Sequence, residues 1–356
     1  MSRWSKITET VAVVSAVLLA GYSCTGVDLH DAEVLEKARY LRRVATPSEG
    51  GAPDEYVLAM ARSINTIHDT AHVNPYVLDD TLYISSGNYY ALLWGFVEPD
   101  DYEVPAVKDF LEHKGTSLLD LKARLREKDF SDSDDALVQA LIPQNNTVPL
   151  IPEATPIYRS CIRGDLLYRS DGIDYLDFAP ETFIQRLTFI IKVETEGDVV
   201  IEDAAASVCG LAAEVGLMGA SISPSVIGRT IFGLDARQGG TYSAAINTLG
   251  LFSPINSGDL FGRGVLTVVF RIQGVSKITE VHINLGSALE KAALMEEVDV
   301  TGEYRLIRSS ATVDVSDKVV HIRHQGDSAG ESGAFEVWVE GDEDHTVEVI
   351  PDEPDD

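Results

Sequence analysis

Apolar and polar residues alternate in many short stretches of this chain. Leu187, Phe189 and Ile191, for example, alternate with Thr188 and Lys192. Successive side chains of a strand point to opposite faces, so this period of two predicts a strand. The same pattern predicts further strands over 81–84, 89–95, 207–217, 229–234, 241–251, 265–274, 277–284, 313–323, 335–340 and 346–350. Many short strands between Gly-containing breaks indicate a mainly β protein built from sandwiches or barrels.

The stretch 56–62 is apolar on both of its alternating faces. Tyr56 and Leu58 fall on one face, and Val57 and Ala59 fall on the other. A strand that is covered by protein on both sides has this composition. We therefore expect a strand buried within the fold.

A few stretches follow the helical period. In 31–44, Val34, Leu35, Ala38 and Leu41 lie on one helical face, which predicts a short amphipathic helix. Further short helices are predicted over 106–113, 117–128, 134–141 and 287–297. Because they interrupt a strand-rich sequence, we expect them to be insertions on a β scaffold.

Breaks in the pattern predict the domain organisation. The segment 46–53 is rich in Gly and Pro, and the Pro-rich segment 143–156 must be extended or turning. A chain of 356 residues is long enough for two ordinary domains. The expected parts are a signal peptide over 1–24, a linker and helix over 25–55, a first β domain with helical insertions over 56–172, a second β domain over 173–350, and an acidic tail over 351–356.

The first 24 residues have the form of an export signal. Arg3 and Lys6 make a short basic region, and the apolar run 11–20 follows it. That run is too short for a helix that spans a bilayer, which needs about 20 apolar residues. Small residues precede Cys24, where a bacterial lipoprotein carries its lipid. We expect lipid attachment at Cys24, and secretion without lipid is the alternative.

The chain is strongly acidic. It has 57 Asp and Glu residues against 28 Lys and Arg residues, which gives a formal net charge of −29. Such a surface repels phosphate backbones and anionic membranes, so nucleic acid is excluded as a partner. A charged exterior also resists aggregation, and this is the role that we expect of the acidity.

No motif in the sequence predicts catalysis or metal binding. Ser328 lies in a G-x-S-x-G match at 326–330, but a strand follows it, whereas the nucleophile elbow of a hydrolase needs a helix there. His68 and His72 are four residues apart without a third ligand, and their segment suits a polar loop or strand. We therefore expect no enzyme, no cofactor and no metal site. Pairing between Cys161 and Cys209 depends on a distance that the sequence leaves open.

Four segments carry a family resemblance. They are the export segment, 86–95 (SGNYYALLWG), 187–194 (LTFIIKVE) and 207–219 (SVCGLAAEVGLMG). Together they resemble the fimbrillin-like lipoproteins of Bacteroides-type bacteria. The resemblance implies a mainly β fold of two transthyretin-like β-sandwich domains with short helical insertions. It also implies a surface lipoprotein of the outer membrane, held by lipid on Cys24, that acts in fimbriae with other fimbrial subunits, either as a subunit or as an anchor.

The resemblance further implies assembly by strand complementation between subunits. A sandwich that lacks one strand has an apolar groove beside an unpaired edge, and a strand from a neighbouring subunit fills both. In such proteins cleavage after an arginine can remove the first strand, and the candidates here are Arg39, Arg42 and Arg43. These residues also suit the end of a helix, where positive charge complements the helix dipole.

The C-terminal segment is the candidate donor strand. Two alternating stretches lie there, on either side of a polar turn at 341–345. The candidate residues are Phe335, Val337, Val339, Val347 and Val349. The same residues fit the last hairpin of the second domain, and the acidic tail opposes burial in a groove.

An alternative function is ligand capture at the cell surface. Lipoproteins built as β-sandwiches can bind a glycan or another ligand without catalysis, and Trp94 and Trp338 are the candidate exposed aromatic residues. An aromatic platform that faces solvent would favour this alternative.

Overall fold

The computed structural model describes much of the chain after residue 37. The described residues are 38–44, 51–61, 69–73, 81–84, 87–104, 118–142, 148–166, 174–182, 184–219, 221–253, 262–291, 295–297, 305–307, 311–325, 334–340 and 347–349. Several predicted features lie outside them: Cys24, His68, Ser328, the helix over 106–113 and the acidic tail over 351–356.

Most of the described residues belong to strands, which confirms the prediction of a mainly β fold. In chain order the strands are β1 (Ala38–Val44), β2 (Tyr56–Ala61), β3 (Asp69–Val73), β4 (Thr81–Ile84), β5 (Gly87–Phe96), β6 (Tyr102–Glu103), β7 (Lys122–Leu125), β8 (Ile157–Leu166), β9 (Asp174–Phe178), β10 (Glu181–Thr182), β11 (Gln185–Glu196), β12 (Ile201–Ala212), β13 (Glu214–Gly216), β14 (Ile227–Gly233), β15 (Asp235–Ala236), β16 (Thr241–Thr248), β17 (Phe252–Ser253), β18 (Val265–Ile272), β19 (Thr279–Asn284), β20 (Met295–Glu297), β21 (Arg305–Ile307), β22 (Ala311–Asp314), β23 (Val320–Gln325), β24 (Ala334–Val339) and β25 (Val347–Val349). The helices are α1 (Ala136–Leu141) and α2 (Gly286–Lys291), with short 3-10 turns at Pro99–Asp101 and Leu118–Asp120.

The central sheet is antiparallel, in the order β10-β8-β5-β2-β3. Its inner strands are buried on both faces. Tyr56 and Leu58 of β2 lie on one face together with Leu93 of β5. Ala59 of β2 and Trp94 of β5 lie on the other face. The prediction of a buried strand over 56–62 is therefore confirmed for β2.

The cover sheet, in the order β4-β1-β9, lies over the Tyr56 face of the central sheet. Leu176 and Phe178 of β9 belong to the same apolar cluster as Tyr56. The helix predicted over 31–44 is wrong where the chain is described, because residues 38–44 form β1. Pairing with β4 on one side and β9 on the other holds the backbone extended, and such tertiary pairing overrides a local helical period.

The bridging sheet, in the order β13-β7-β6, contributes to the cluster on the opposite face of the central sheet. The helix predicted over 117–128 is wrong, because the chain there forms a 3-10 turn followed by β7. Leu121, Ala123 and Leu125 are buried and alternate with exposed residues. Leu118, Leu121 and Leu125 also fit the helical spacing, but pairing of β7 with β13 selects the strand.

Two further sheets form a β-sandwich. The large sheet has the order β15-β16-β11-β23-β24-β25, and β22 also pairs with β11. β11 is antiparallel to β16 and parallel to β22 and β23. The facing sheet is antiparallel, in the order β14-β12-β18-β19. Their inner faces share one core, which includes Phe189, Val208, Phe270 and Val337.

The two helices are short. Asp135 caps α1 by accepting a hydrogen bond from the Leu137 backbone N–H at 2.9 Å, and α1 packs on β12 and β18 of the facing sheet. The helix predicted over 134–141 is thus confirmed. The helix predicted over 287–297 is partly wrong, because α2 ends at Lys291 and residues 295–297 form β20, which pairs with β21.

The core is continuous across the predicted domain boundary between residues 172 and 173. One apolar cluster contains Trp94 and Leu121 from the first predicted domain and Phe189 and Phe270 from the second. The division into two domains stays a prediction.

Candidate functional site

The candidate sites from the sequence fall mainly on the terminal strands. β1 carries Arg39, Arg42 and Arg43, and its backbone pairs over residues 38–41 with β4 and over residues 40–44 with β9. Tyr40 lies opposite Leu82 of β4 and opposite Asp174 of β9. The helix-dipole interpretation of these arginines is therefore wrong, because they lie on a strand in the middle of the cover sheet.

A closed apolar layer lies beneath the cover sheet. Tyr56, Leu58 and Leu93 are fully buried, and Phe178 and Leu176 of β9 close over them. This layer separates the cover sheet from the central sheet. Removal of β9 from the cover sheet would therefore expose apolar side chains of the central sheet to solvent.

The candidate donor residues divide between two strands. Phe335, Val337 and Val339 of β24 point into the core of the sandwich and are buried. β24 pairs with β23 on one side and with β25 on the other, so it is an inner strand of the large sheet. Val347 and Val349 lie on β25, the last strand of that sheet in the described part of the chain. The structure thus forms the predicted C-terminal hairpin.

The outer face of the large sheet carries an aromatic cluster. Trp338 of β24 is half-buried, and the imidazole of His321 on β23 stacks on its indole with 5.1 Å between ring centroids and 15° between planes. The guanidinium carbon of Arg323 lies 5.1 Å from the Trp338 ring centroid, which is a cation–π distance. Trp94, by contrast, is only 2% exposed, so its prediction as an exposed aromatic residue is wrong.

Charged side chains surround this cluster. Glu336 forms an ion pair with Arg323, and hydrogen bonding to Glu336 raises the pKa of the Arg323 guanidinium. Glu194 of β11 forms an ion pair with Lys192 and lies 3.9 Å from Nδ1 of His321. A hydrogen bond from Lys192 lowers the pKa of the Glu194 carboxyl. The outer face therefore carries hydrogen-bond donors and acceptors close to an indole ring.

Trp338 was predicted from the sequence as a site residue, whereas its neighbours His321 and Arg323 were not. His321 and Arg323 alternate with the buried residues Val320 and Ile322, so the period of two already places them on the outer face. The pairing of His321 with Trp338 follows from the register of β23 against β24, which the sequence does not specify.

The cysteines and histidines outside this cluster form no reactive site in the described part of the chain. Cys161 is exposed on β8 and Cys209 is buried in β12, and neither forms a disulfide. Desolvation raises the pKa of both thiols, which disfavours the reactive thiolate. His72 lies on β3, as expected of a polar strand. Among the described residues there is no cluster of three or more metal-type ligands.

The described part of the chain was searched for helices that could span a membrane. No helix found there has both the length and the apolar character needed to cross a bilayer.

Comparison with known proteins finds similar solved structures at low sequence identity. No protein-family model matches the chain, and no curated protein sequence matches it. A Bacteroides ovatus protein described as an adhesin is 10% identical, with a TM-score of 0.48, over 73% of this chain and 87% of that one. The fimbrial anchor protein Mfa2 of Porphyromonas gingivalis is 11% identical, with a TM-score of 0.39, over 89% of this chain and 100% of that one. A Bacteroides thetaiotaomicron protein named for polysaccharide binding is 10% identical, with a TM-score of 0.41, over 89% of this chain and 99% of that one. These neighbours include fimbrial proteins and adhesins of the kind that the sequence resembles.

Proposed function

We propose that the chain is a structural protein of the bacterial cell surface, of the fimbrillin type, that joins a fimbrium by strand complementation. Lipid on Cys24 tethers it to the outer membrane, and other fimbrial subunits are its partners. The observation that carries the proposal is the position of β1. It is the first described strand of the chain and also the middle strand of the cover sheet.

Displacement of β1 would open the cover sheet. β4 and β9 both pair with β1 and not with each other, so its departure leaves two unpaired edges that face one gap. Leu176 and Phe178 of β9, the strand that would lose β1 as its neighbour, lie in one apolar cluster with Tyr56, Leu58 and Leu93. Unpaired backbone groups and uncovered apolar surface both favour an incoming strand. A strand from a neighbouring subunit would restore the sheet and its cover.

The arginines of β1 connect the replacement of this strand with the lipid anchor on Cys24. Arg39, Arg42 and Arg43 lie between Cys24 and the rest of the chain. Cleavage after any of them would separate the lipid from the body of the protein. A β1 that is displaced but uncut gives a lipid-held anchor, whereas a cut β1 gives a subunit that is free to polymerise.

The C-terminal hairpin is the proposed donor. β25 has one partner strand in the described sheet, so it can leave with fewer broken backbone hydrogen bonds than an inner strand. Donation of β24 would also withdraw Phe335, Val337 and Val339 from the core. Each of these side chains stabilises the fold by about 1.5–3 kcal/mol when fully buried. We therefore assign the donor role first to β25, with Val347 and Val349.

Purified surface fibres test this proposal. Fibres from cells that make the wild-type chain should contain it, and mass spectrometry of its N-terminal peptide distinguishes the two forms. A lipidated Cys24 identifies the anchor, and a start at residue 40, 43 or 44 identifies the cut subunit. Replacement of all three arginines by lysine should leave only the lipidated form, and Arg163→Lys, at an exposed arginine of β8, is the control. Absence of the chain from fibres, in cells that express it, contradicts the proposal.

A further inference from the structure

The register of β1 in the cover sheet decides how this strand meets a pulling force. β1 is parallel to β9, with Tyr40 opposite Asp174 and Val44 opposite Phe178, and it is antiparallel to β4. We propose that β1 is a mechanical clamp, which carries tension between the N-terminal side of the chain and the sandwich as shear along its length. The inference rests on the proposed function only for the source of that tension, which is a fibre that pulls against the lipid on Cys24.

One end of the central sheet is attached to the sandwich. The backbone N–H of Ile151 donates a hydrogen bond to the carbonyl of Arg229 on β14 at 2.9 Å. The backbone N–H of Ala154 donates to the carbonyl of Asn247 on β16 at 3.0 Å. β8 begins only three residues later, at Ile157. The start of β8 therefore marks the end of the central sheet that lies next to the sandwich.

The N-terminal end of β1 points away from the sandwich. β10 pairs with the start of β8, where Thr182 lies opposite Tyr158. β9 ends at Phe178, shortly before β10, so its C-terminal end also lies near the sandwich. Val44 is opposite Phe178 in the parallel register. The other end of β1, at Ala38, therefore lies about 20 Å farther from the sandwich.

A force applied at Ala38 loads β1 in shear. It pulls Ala38 away from the sandwich, while the chain leaves β9 at Phe178 and continues through β10 to β11 of the large sheet. Because the two strands of this parallel pair are pulled from opposite ends, their evenly spaced backbone hydrogen bonds share the load and must break together. The bonds to β4 over 38–41 add to those to β9 over 40–44. Each bond contributes about 0.5–1.5 kcal/mol net, so their joint rupture is a high barrier.

A force applied between β1 and β2 bypasses this clamp. β2 begins at Tyr56, and Val57 is opposite Trp94, which is itself opposite Arg159 near the start of β8. The first residues of β2 therefore lie at the sandwich end of the central sheet. Asp54 is exposed and lies two residues before β2. Tension at Asp54 reaches only the end of β2, so this strand peels from its neighbours one residue pair at a time.

Pulling with optical tweezers compares these two loading points. Both geometries share a handle on Asp198→Cys, at an exposed position between β11 and β12. Arg186, near the start of β11, is paired with Asn247, which contacts Ala154. β11 therefore runs away from the first half of the chain, and Asp198 lies at the far end of the sandwich.

The second handle differs between the two geometries. It is on Lys37→Cys, directly before β1, or on Asp54→Cys, directly before β2. Both variants carry Cys24→Ser and Cys161→Ser, so that no other accessible thiol takes a handle, since Cys209 is buried. Circular dichroism melting of each variant shows that the fold persists.

The lifetime of the folded chain at constant force is the measured quantity, because forced unfolding follows the unfolding rate. We expect the lifetime to be at least about tenfold longer with the handle at position 37 than at position 54, which is a barrier difference of about 1.4 kcal/mol. Equal lifetimes, or a shorter lifetime at position 37, would overturn the clamp.

A disulfide between β1 and β9 identifies the strand that bears the load. Leu41 and Tyr175 are paired positions, and Leu41→Cys, Tyr175→Cys is oxidised before the handles are attached. The disulfide should lengthen the lifetime with the handle at position 37 and leave it unchanged with the handle at position 54. No change at position 37 would also overturn the clamp. The purified chain is pulled without lipid or fibres, so the clamp can fail while strand complementation holds, and the reverse.

Discussion

The ring of Phe189 on β11 stacks on the ring of Phe232 on β14, with 5.6 Å between centroids and 15° between planes. The contact joins the large sheet to the facing sheet across the core. Phe189 is completely buried, and Phe232 is nearly so. The contact helps to hold the large sheet, which carries β24 and β25, against the facing sheet.

Phe189→Ala should destabilise the protein by about 3–5 kcal/mol, because it removes a buried ring and leaves a cavity between two sheets. Urea unfolding followed by circular dichroism measures the change. Thr188→Ala, on the opposite face of the same strand, is the control and should shift stability by less than about 0.5 kcal/mol. Equal effects of the two variants would contradict the assigned faces of β11.

Gly210→Ala should destabilise the protein, because Gly210 lies at a bulge of β12 between Cys209 and Leu211 where the backbone requires glycine. Gly210 has a φ of +96°, and a Cβ there would lie 2.4 Å from the carbonyl oxygen of Phe252. The left-handed conformation alone costs an alanine about 1–2 kcal/mol, and the clash adds to it. Gly233→Ala, where no atom lies within 4 Å of the added carbon, should have little effect on the melting temperature. A neutral Gly210→Ala would show that the bulge is wrongly placed.

Tyr102 should make the protein less stable at high pH. Its hydroxyl is buried and donates a hydrogen bond to the Thr155 carbonyl at 2.6 Å, and burial raises its pKa well above the ordinary value of 10.0. Above pH 10 the unfolded chain loses this proton more readily than the folded chain, so the free energy of unfolding falls as pH rises. Below pH 10 this contribution is constant.

Tyr102→Phe tests that assignment. It should lower stability at pH 7 by about 0.5–1.5 kcal/mol, for the lost hydrogen bond, and should make the decline between pH 9.5 and 11 shallower. Urea unfolding at each pH gives both quantities. Tyr175→Phe is the control at an exposed tyrosine. An unchanged slope in Tyr102→Phe would show that another group causes the alkaline loss.

Cys24→Ala should abolish lipid attachment. Cells fed a fatty-acid analogue should label the wild-type chain, since Cys24 follows an apolar export segment and the small residues Gly21 and Ser23. Cys161→Ala, at an exposed cysteine in the body of the protein, should label as the wild type does. Equal labelling of Cys24→Ala and wild type would remove the tether from the proposed function.

The sequence predicts strands well where one face is buried and the other is polar. Leu187, Phe189 and Ile191 alternate with Thr188 and Lys192, and the strand β11 contains all of these positions. The failures lie where strands are short and paired on both sides. β1 and β7 contain apolar residues at helical spacing, and only their neighbours in space hold them extended.

The candidate site was predictable in part for the same reason. Alternation placed Trp338 on an outer face, but the helical bias of the local sequence gave no sign that Arg39, Arg42 and Arg43 lie on a strand. Trp94 was misplaced because β5 is buried on both faces, so alternation assigns it no exposed side. Contacts that depend on register between distant segments, such as His321 with Trp338, do not follow from local patterns.

The most direct test of strand complementation is to lock β1 in place. Tyr40 and Leu82 are paired positions of β1 and β4, and a Tyr40→Cys, Leu82→Cys variant should form a disulfide across them under oxidising conditions. The control is Lys192→Cys, Thr241→Cys, a lock at paired positions of the large sheet. Incorporation into surface fibres is then measured for oxidised and reduced forms. We expect the β1 lock to block incorporation until it is reduced, while the control lock enters fibres in both states. Entry of the oxidised β1 lock at the level of the control would contradict the displacement of β1 on which the proposed function rests.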